Sequence, residues 1–73
     1  MKKNINAKTS IERAIEAAGG IQALADLLGI TYGAVWQWRA GHTVPTPERA
    51  VAIEKALKSR VTRYDLRPDV FDV

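Results

Sequence analysis

The stretch Ile21–Ala40, IQALADLLGITYGAVWQWRA, constrains the fold of this chain more than any other. Ile21, Leu24, Ala25 and Leu28 recur at i, i+3, i+4 and i+7, one apolar face of a helix. Gly29 follows, a residue free to take positive φ and end that helix sharply. Thr31 is placed to cap a second helix through its hydroxyl. Val35 and Trp38 then give that helix an inward face. Ala25 is small enough to let the two helices cross closely, and Gly29 brings no Cβ into the turn. Ala25, Gly29 and Val35 therefore carry the spacing of a helix-turn-helix.

The second helix of the pair leaves Thr31, Tyr32, Gly33, Trp36, Gln37 and Ala40 outside. A major groove is wide enough to admit a helix, and such a face suits it. An ordinary helix hairpin in a bundle is the competing reading. Tyr32, Trp36 and Gln37 argue against it, because an idle surface would carry Glu and Lys there.

Around this stretch the chain reads as one small all-α domain of 73 residues. Residues Met1–Lys8 are polar and basic and are expected to form a flexible arm. Lys2, Lys3 and Lys8 are read as solvated more readily than as phosphate contacts. The folded domain is expected over residues 9–73. Ser10 or Thr9 is expected to cap a first helix, with Ile11, Ala14, Ile15 and Ala18 inward and Gly19-Gly20 ending it. Gly41 closes the reading helix, and His42–Pro45 form a short loop. Thr46-Pro47 opens a fourth helix, with Thr as N-cap and Pro at the first position. This helix is expected to reach about Lys58, with Ala50, Ile53 and Leu57 inward and Glu54 paired with Lys58 outside. Thr62 is expected to cap one more turn through Leu66. The chain should become extended before Pro68, with a short strand near Val70–Val73 as a weak option. Val61, Tyr64, Leu66, Val70 and Phe71 are too apolar for a free tail and should pack on the core or on a second subunit. The result is four to five helices.

Composition narrows the function. The net charge is +3 and the pI about 9.6, which suits a nucleic-acid partner without requiring one. There is no cysteine, hence no disulfide and no thiolate metal site. No apolar run approaches the roughly 20 residues of a membrane span, and no apolar core follows the N-terminal lysines as in a signal peptide. A cytoplasmic protein with no membrane association is expected. The one histidine, His42, has no base, nucleophile or metal-binding companions in view. Gly19-Gly20 lacks the lysine of a phosphate loop. No enzyme activity, cofactor or metal is expected.

DNA binding has a coherent residue set. The Gln37 amide suits adenine N6 and N7. Thr31 and Tyr32 stand at the amino end of the reading helix, where hydroxyls meet phosphates or base edges; capping is an equal role for Thr31. Gly33 leaves room for close approach, and helix packing explains it nearly as well. Trp36 is read as part packing, over the loop at His42–Val44, and part DNA contact. Trp38 is read as core. Gln22, at the positive end of the preceding helix, is a candidate phosphate donor. Arg39, Arg49 and His42 are further phosphate candidates, with a salt bridge inside its own helix as the alternative for Arg49.

These residues bring a family into view. AVWQW after LLGIT resembles the AVSQW-type reading helix of Cro/CI-like phage repressors. PTPERAVAIEKAL followed by VTRYDLRPDVF is similar to the carboxyl half of the YdaS-like prophage regulators, and its ERxxxIEKA and LRPD strings are more distinctive than the helix-turn-helix. The resemblance covers Gly19 to Phe71. It implies a lambda-repressor-like helical fold and a transcriptional regulator of a prophage or mobile element. Such a regulator, a Cro-like repressor, binds a palindromic double-stranded DNA operator, commonly as a homodimer. The family's reading positions fall on Thr31, Tyr32, Gly33, Trp36 and Gln37. Trp36 departs from the small polar residue common there, so no base preference carries over at that position. Some members have been called antitoxins, which makes a protein-neutralising module the alternative.

Overall fold

The computed structural model describes residues 7–71. Among these residues six helices follow one another: α1 Ala7–Ala18, α2 Ile21–Leu28, α3 Tyr32–Ala40, α4 Pro47–Ala56, α5 Arg63–Leu66 and α6 Pro68–Phe71. No strand occurs among the described residues. Helix α1 packs across α2, α3 and α5, while α4 packs on α2 and α5. The faces expected from periodicity meet in one core of Ile11, Ala14, Leu24, Ala25, Val35, Trp38, Ala50, Ile53, Leu57, Val61 and Leu66.

The α2–α3 corner follows from its sequence. Gly29 sits in the left-handed region at φ 69°, and the Ile30 N–H donates back to the Ala25 carbonyl at 3.0 Å. These bonds satisfy carbonyls that the helix end would otherwise orphan. Ala25 is fully buried at the crossing. Thr31 caps α3 by accepting from the Ala34 N–H at 3.1 Å. Thr46 does the same for α4 from Arg49 N–H at 3.2 Å, with Pro47 in the first turn.

Several local expectations are corrected. Helix α1 begins at Ala7, so neither Thr9 nor Ser10 caps it. Ser10 lies inside the helix, buried, and its hydroxyl donates to the Asp65 carbonyl at 3.1 Å. Most of the arm expected over Met1–Lys8 lies outside the described residues; its last two residues open α1. Helix α4 stops at Ala56, not near Lys58. Lys58 (φ 53°) and Ser59 (φ 67°) turn the chain in the left-handed region, and Ser59 N–H donates to the Glu54 carbonyl at 2.9 Å. The closing bonds match those at Gly29, with a lysine where a glycine would be easier. Glu54 does not pair with Lys58: its carboxylate takes both the backbone N–H and the Nε of Arg63, at 3.1 and 2.7 Å.

The C-terminal segment folds back on its own chain. Thr62 and Asp65 cap each other's backbone N–H groups in a capping box that starts α5. The expected break before Pro68 is present at Arg67 (φ −136°), but Pro68 then opens helix α6 and the chain is neither extended nor a strand up to Phe71. Val61 and Leu66 are fully buried and Phe71 is packed against the core, whereas Tyr64 and Val70 remain about half exposed. Arg67 explains the LRPD string: it donates to the Pro45 carbonyl at 2.9 Å and forks onto Asp69 at 2.9 and 2.7 Å. Leu66 fills the core, Pro68 starts the next turn, and Arg67 ties both to the loop before α4.

Candidate nucleic-acid interface

Helix α3 divides into two stripes. Ala34, Val35 and Trp38 face the core; Val35 is fully buried and Trp38 is 6% exposed. Gly33, Trp36, Gln37 and Ala40 fall at i, i+3, i+4 and i+7 on the opposite side, and all four are exposed. Tyr32 and Arg39 flank this stripe, also exposed. The sequence-based candidates Thr31, Tyr32, Gly33, Trp36 and Gln37 thus share one exposed surface at and beyond the amino end of α3.

Individual positions sharpen their roles. Thr31 is exposed and accepts from Ala34 N–H, so capping and outward contact are compatible. Trp36 is 43% exposed, and its ring stacks on His42 with centroids 5.9 Å apart and planes at 27°. The packing expected of Trp36 over the following loop is present, and it falls on His42 rather than on the whole loop. Gly41, in the left-handed region, makes the contact possible by turning His42 back so that its N–H reaches the Gln37 carbonyl at 3.0 Å. Among the described residues Gly33 has no packing role: a Cβ built there would meet only Thr31 Oγ1, at 3.9 Å. The packing explanation for this glycine is therefore corrected.

The phosphate candidates are more dispersed. Gln22 is exposed, but its amide donates to Asp26 Oδ1 at 2.9 Å within its own helix, so it is engaged locally. Arg39 lines two adjoining surface depressions, one of about 340 Å³ with Glu12, Trp36 and Ala40, the other of about 500 Å³ with Glu12, Ile15, Glu16, Gly20 and Ile21. The Glu12 and Glu16 carboxylates give that flank of Arg39 a negative border. Arg49 is exposed at the start of α4, and no salt bridge within that helix involves it among the described residues.

The perturbed titrations lie elsewhere. Hydrogen bonds from Arg63 hold the Glu54 carboxyl below its ordinary value, and Glu54 in turn raises the Arg63 guanidinium. Arg67 and Asp69 shift each other in the same sense. Both pairs involve the C-terminal segment, the first tying it to α4 and the second lying within it. Arg63 also lies over the Phe71 ring, 5.7 Å from its centroid. The described residues hold no cluster of His, Cys, Asp and Glu fit for a metal ion. None of their helices is long and apolar enough to cross a membrane. Sequence reasoning missed the Glu54–Arg63 and Arg67–Pro45 ties. The LRPD string signalled the second, but nothing local paired Glu54 with a residue nine positions on.

Comparison with known proteins places this geometry. Residues 11–73 match the family described as bacterial toxin YdaS. YdaS of Escherichia coli (strain K12), named a candidate transcriptional regulator, is 39% identical over 61 residues, 84% of this chain and 62% of that protein. The chain therefore spans about six-tenths of that relative's length. The Cro protein from the candidate prophage element Xfaso 1 of Xylella fastidiosa strain Ann-1 has the same fold, with a TM-score of 0.80 and 41% identity, covering 88% of this chain and 97% of that one. The helix-turn-helix fold and the family expected from the sequence both stand.

Proposed function

The chain belongs to the YdaS family, with a Cro-type fold, and on that footing we propose that it is a sequence-specific DNA-binding transcriptional regulator that acts as a Cro-like repressor. The observation that carries this reading is the α3 surface. Gly33, Trp36, Gln37 and Ala40 form an exposed stripe on a helix held rigidly from behind by Val35 and Trp38. In the bound state α3 lies in the major groove with its amino end deepest. Gln37 pairs with an adenine edge, and Tyr32 and Trp36 contact sugars and thymine methyls. Thr31, Arg39, Arg49 and His42 hold phosphates and fix the register. Gln22 joins them only by releasing Asp26.

One subunit reads a short half-site, so the operator is an inverted repeat bound by a homodimer. Tyr64 and Val70, left about half exposed by the C-terminal fold, are the apolar residues that segment offers for that pairing, and Leu27 and Val44 are exposed elsewhere on the domain. No catalytic role is assigned. The test is selection of duplexes by the wild-type protein from a random-sequence pool. Convergence on an inverted repeat supports the proposal, and recovery of unenriched sequence contradicts it.

A second reading has one observation in its favour, the toxin description of the matching family. Under it the chain is a protein-interaction module that acts by binding a partner protein; the description names a toxin, so the antitoxin alternative draws no support from it. A protein that selects no duplex, yet alters growth when expressed with and without its genetic neighbour, would favour that reading.

A further inference from the structure

Gly33 is the glycine that this fold does not need. It stands at the second position of a nine-residue helix, and glycine is the poorest helix former apart from proline. The other four glycines all have positive φ, which a side chain rarely tolerates; Gly33 does not. Among the described residues its surroundings are open as well, since an added Cβ would touch only Thr31 Oγ1 at 3.9 Å, an ordinary contact distance. An alanine there would fit the helix, relieve its entropy cost and disturb none of the described residues.

The position lies on the exposed stripe one turn before Gln37 and in line with Ala40. Along that line the two small residues form a low floor, and Trp36 and Gln37 stand on either side of it. We infer that Gly33 is a contact residue: the bound duplex comes so close to the first turn of α3 that a methyl group at this position would obstruct it. This rests on the DNA-binding reading above and adds a definite depth to it. The absent side chain lowers the helix into the groove until the short Gln37 amide reaches a base edge with both of its hydrogen-bonding atoms. The fold gives up helix stability at Gly33 so that the complex can form.

The experiment is Gly33→Ala, examined by thermal melting and by titration with the duplex that wild-type protein selects from a random pool. The melting temperature should rise by roughly 2–8 °C, as expected for replacing a solvent-facing helical glycine in a domain of this size. Affinity for the selected duplex should fall about tenfold or more, the usual scale for forcing a methyl into a close-packed contact. A raised melting temperature with unchanged affinity would overturn the inference and leave the DNA-binding reading intact. A lowered melting temperature would also overturn it, because the chain itself would then require the glycine. Failure of the wild-type protein to select any duplex would sink the reading first and the inference with it.

Discussion

Removing the chain after Lys58 should abolish the fold itself. The deleted segment carries Val61 and Leu66, which are 1% and 0% exposed, together with the half-buried Phe71. Burial of each aliphatic side chain contributes about 1.5–3 kcal/mol, so Val61 and Leu66 together supply about 3–6 kcal/mol. Their loss also uncovers apolar surface on the α1 and α4 side chains they cover. The whole stability of a domain of this length is only about 4–11 kcal/mol. The truncation also strands Ser10, whose hydroxyl loses the Asp65 carbonyl, and frees the Glu54 carboxylate from Arg63. Far-UV circular dichroism melts at two protein concentrations tenfold apart are the assay. The truncated chain should lack a cooperative transition at both. The milder change Leu66→Ala, costing about 2–5 kcal/mol, should lower the melting temperature by roughly 10–30 °C independently of concentration. A truncated protein that melts cooperatively within a few degrees of the full chain would refute the reasoning, and the segment would then serve only association.

Other consequences are more local. Lys58→Gly should raise stability by about 1 kcal/mol, seen as a higher denaturation midpoint, because it removes a side chain from the left-handed region. Trp38→Ala should cost about 3–5 kcal/mol by opening a cavity behind α3, measured by urea denaturation. The Glu54–Arg63 pair sets a pH dependence: a carboxyl lowered in the folded state stabilises fully above the unfolded value of 4.5. That contribution is lost as the pH falls below 4.5 through the lowered folded value. Replacing Glu54 with Gln should therefore flatten the acid limb of a stability–pH curve.

Much of this arrangement is legible in the chain because its signals are local. The i, i+3, i+4 repeats of α2, the Gly29 turn, the Thr31 and Thr46-Pro47 starts and the Thr62 cap depend on neighbours a few residues apart. The misread points each depend on a distant partner or a rarer backbone state. Ser10 reads as a cap because a serine near a helix start usually is one, and only the arrival of Asp65 reveals its other use. The end of α4 was masked because Lys58 and Ser59 take the left-handed turn that glycine normally marks. Glu54 favours Arg63 over Lys58 for the same reason, since ending the helix two residues before Lys58 removes the i, i+4 geometry. At the α3 surface, exposure followed from helical spacing. The open space around Gly33 is set by the folded chain, and the stacking of Trp36 on His42 arises only once the loop after α3 is brought back beside it.

We propose that α3 reads DNA sequence through Gln37. Sequence reading by Gln37 is tested most directly by measuring the affinity of wild type and Gln37→Ala for the selected duplex and for a scrambled duplex, at several salt concentrations. Wild type should prefer the selected duplex by about 10³-fold or more, and both affinities should fall steeply between about 50 and 200 mM salt as condensed counterions are released. Gln37→Ala should keep its fold and its affinity for scrambled DNA, and lose about 1–3 kcal/mol per half-site on the selected duplex. Equal affinity of wild type for the two duplexes, or an unchanged preference in Gln37→Ala, would contradict the claim.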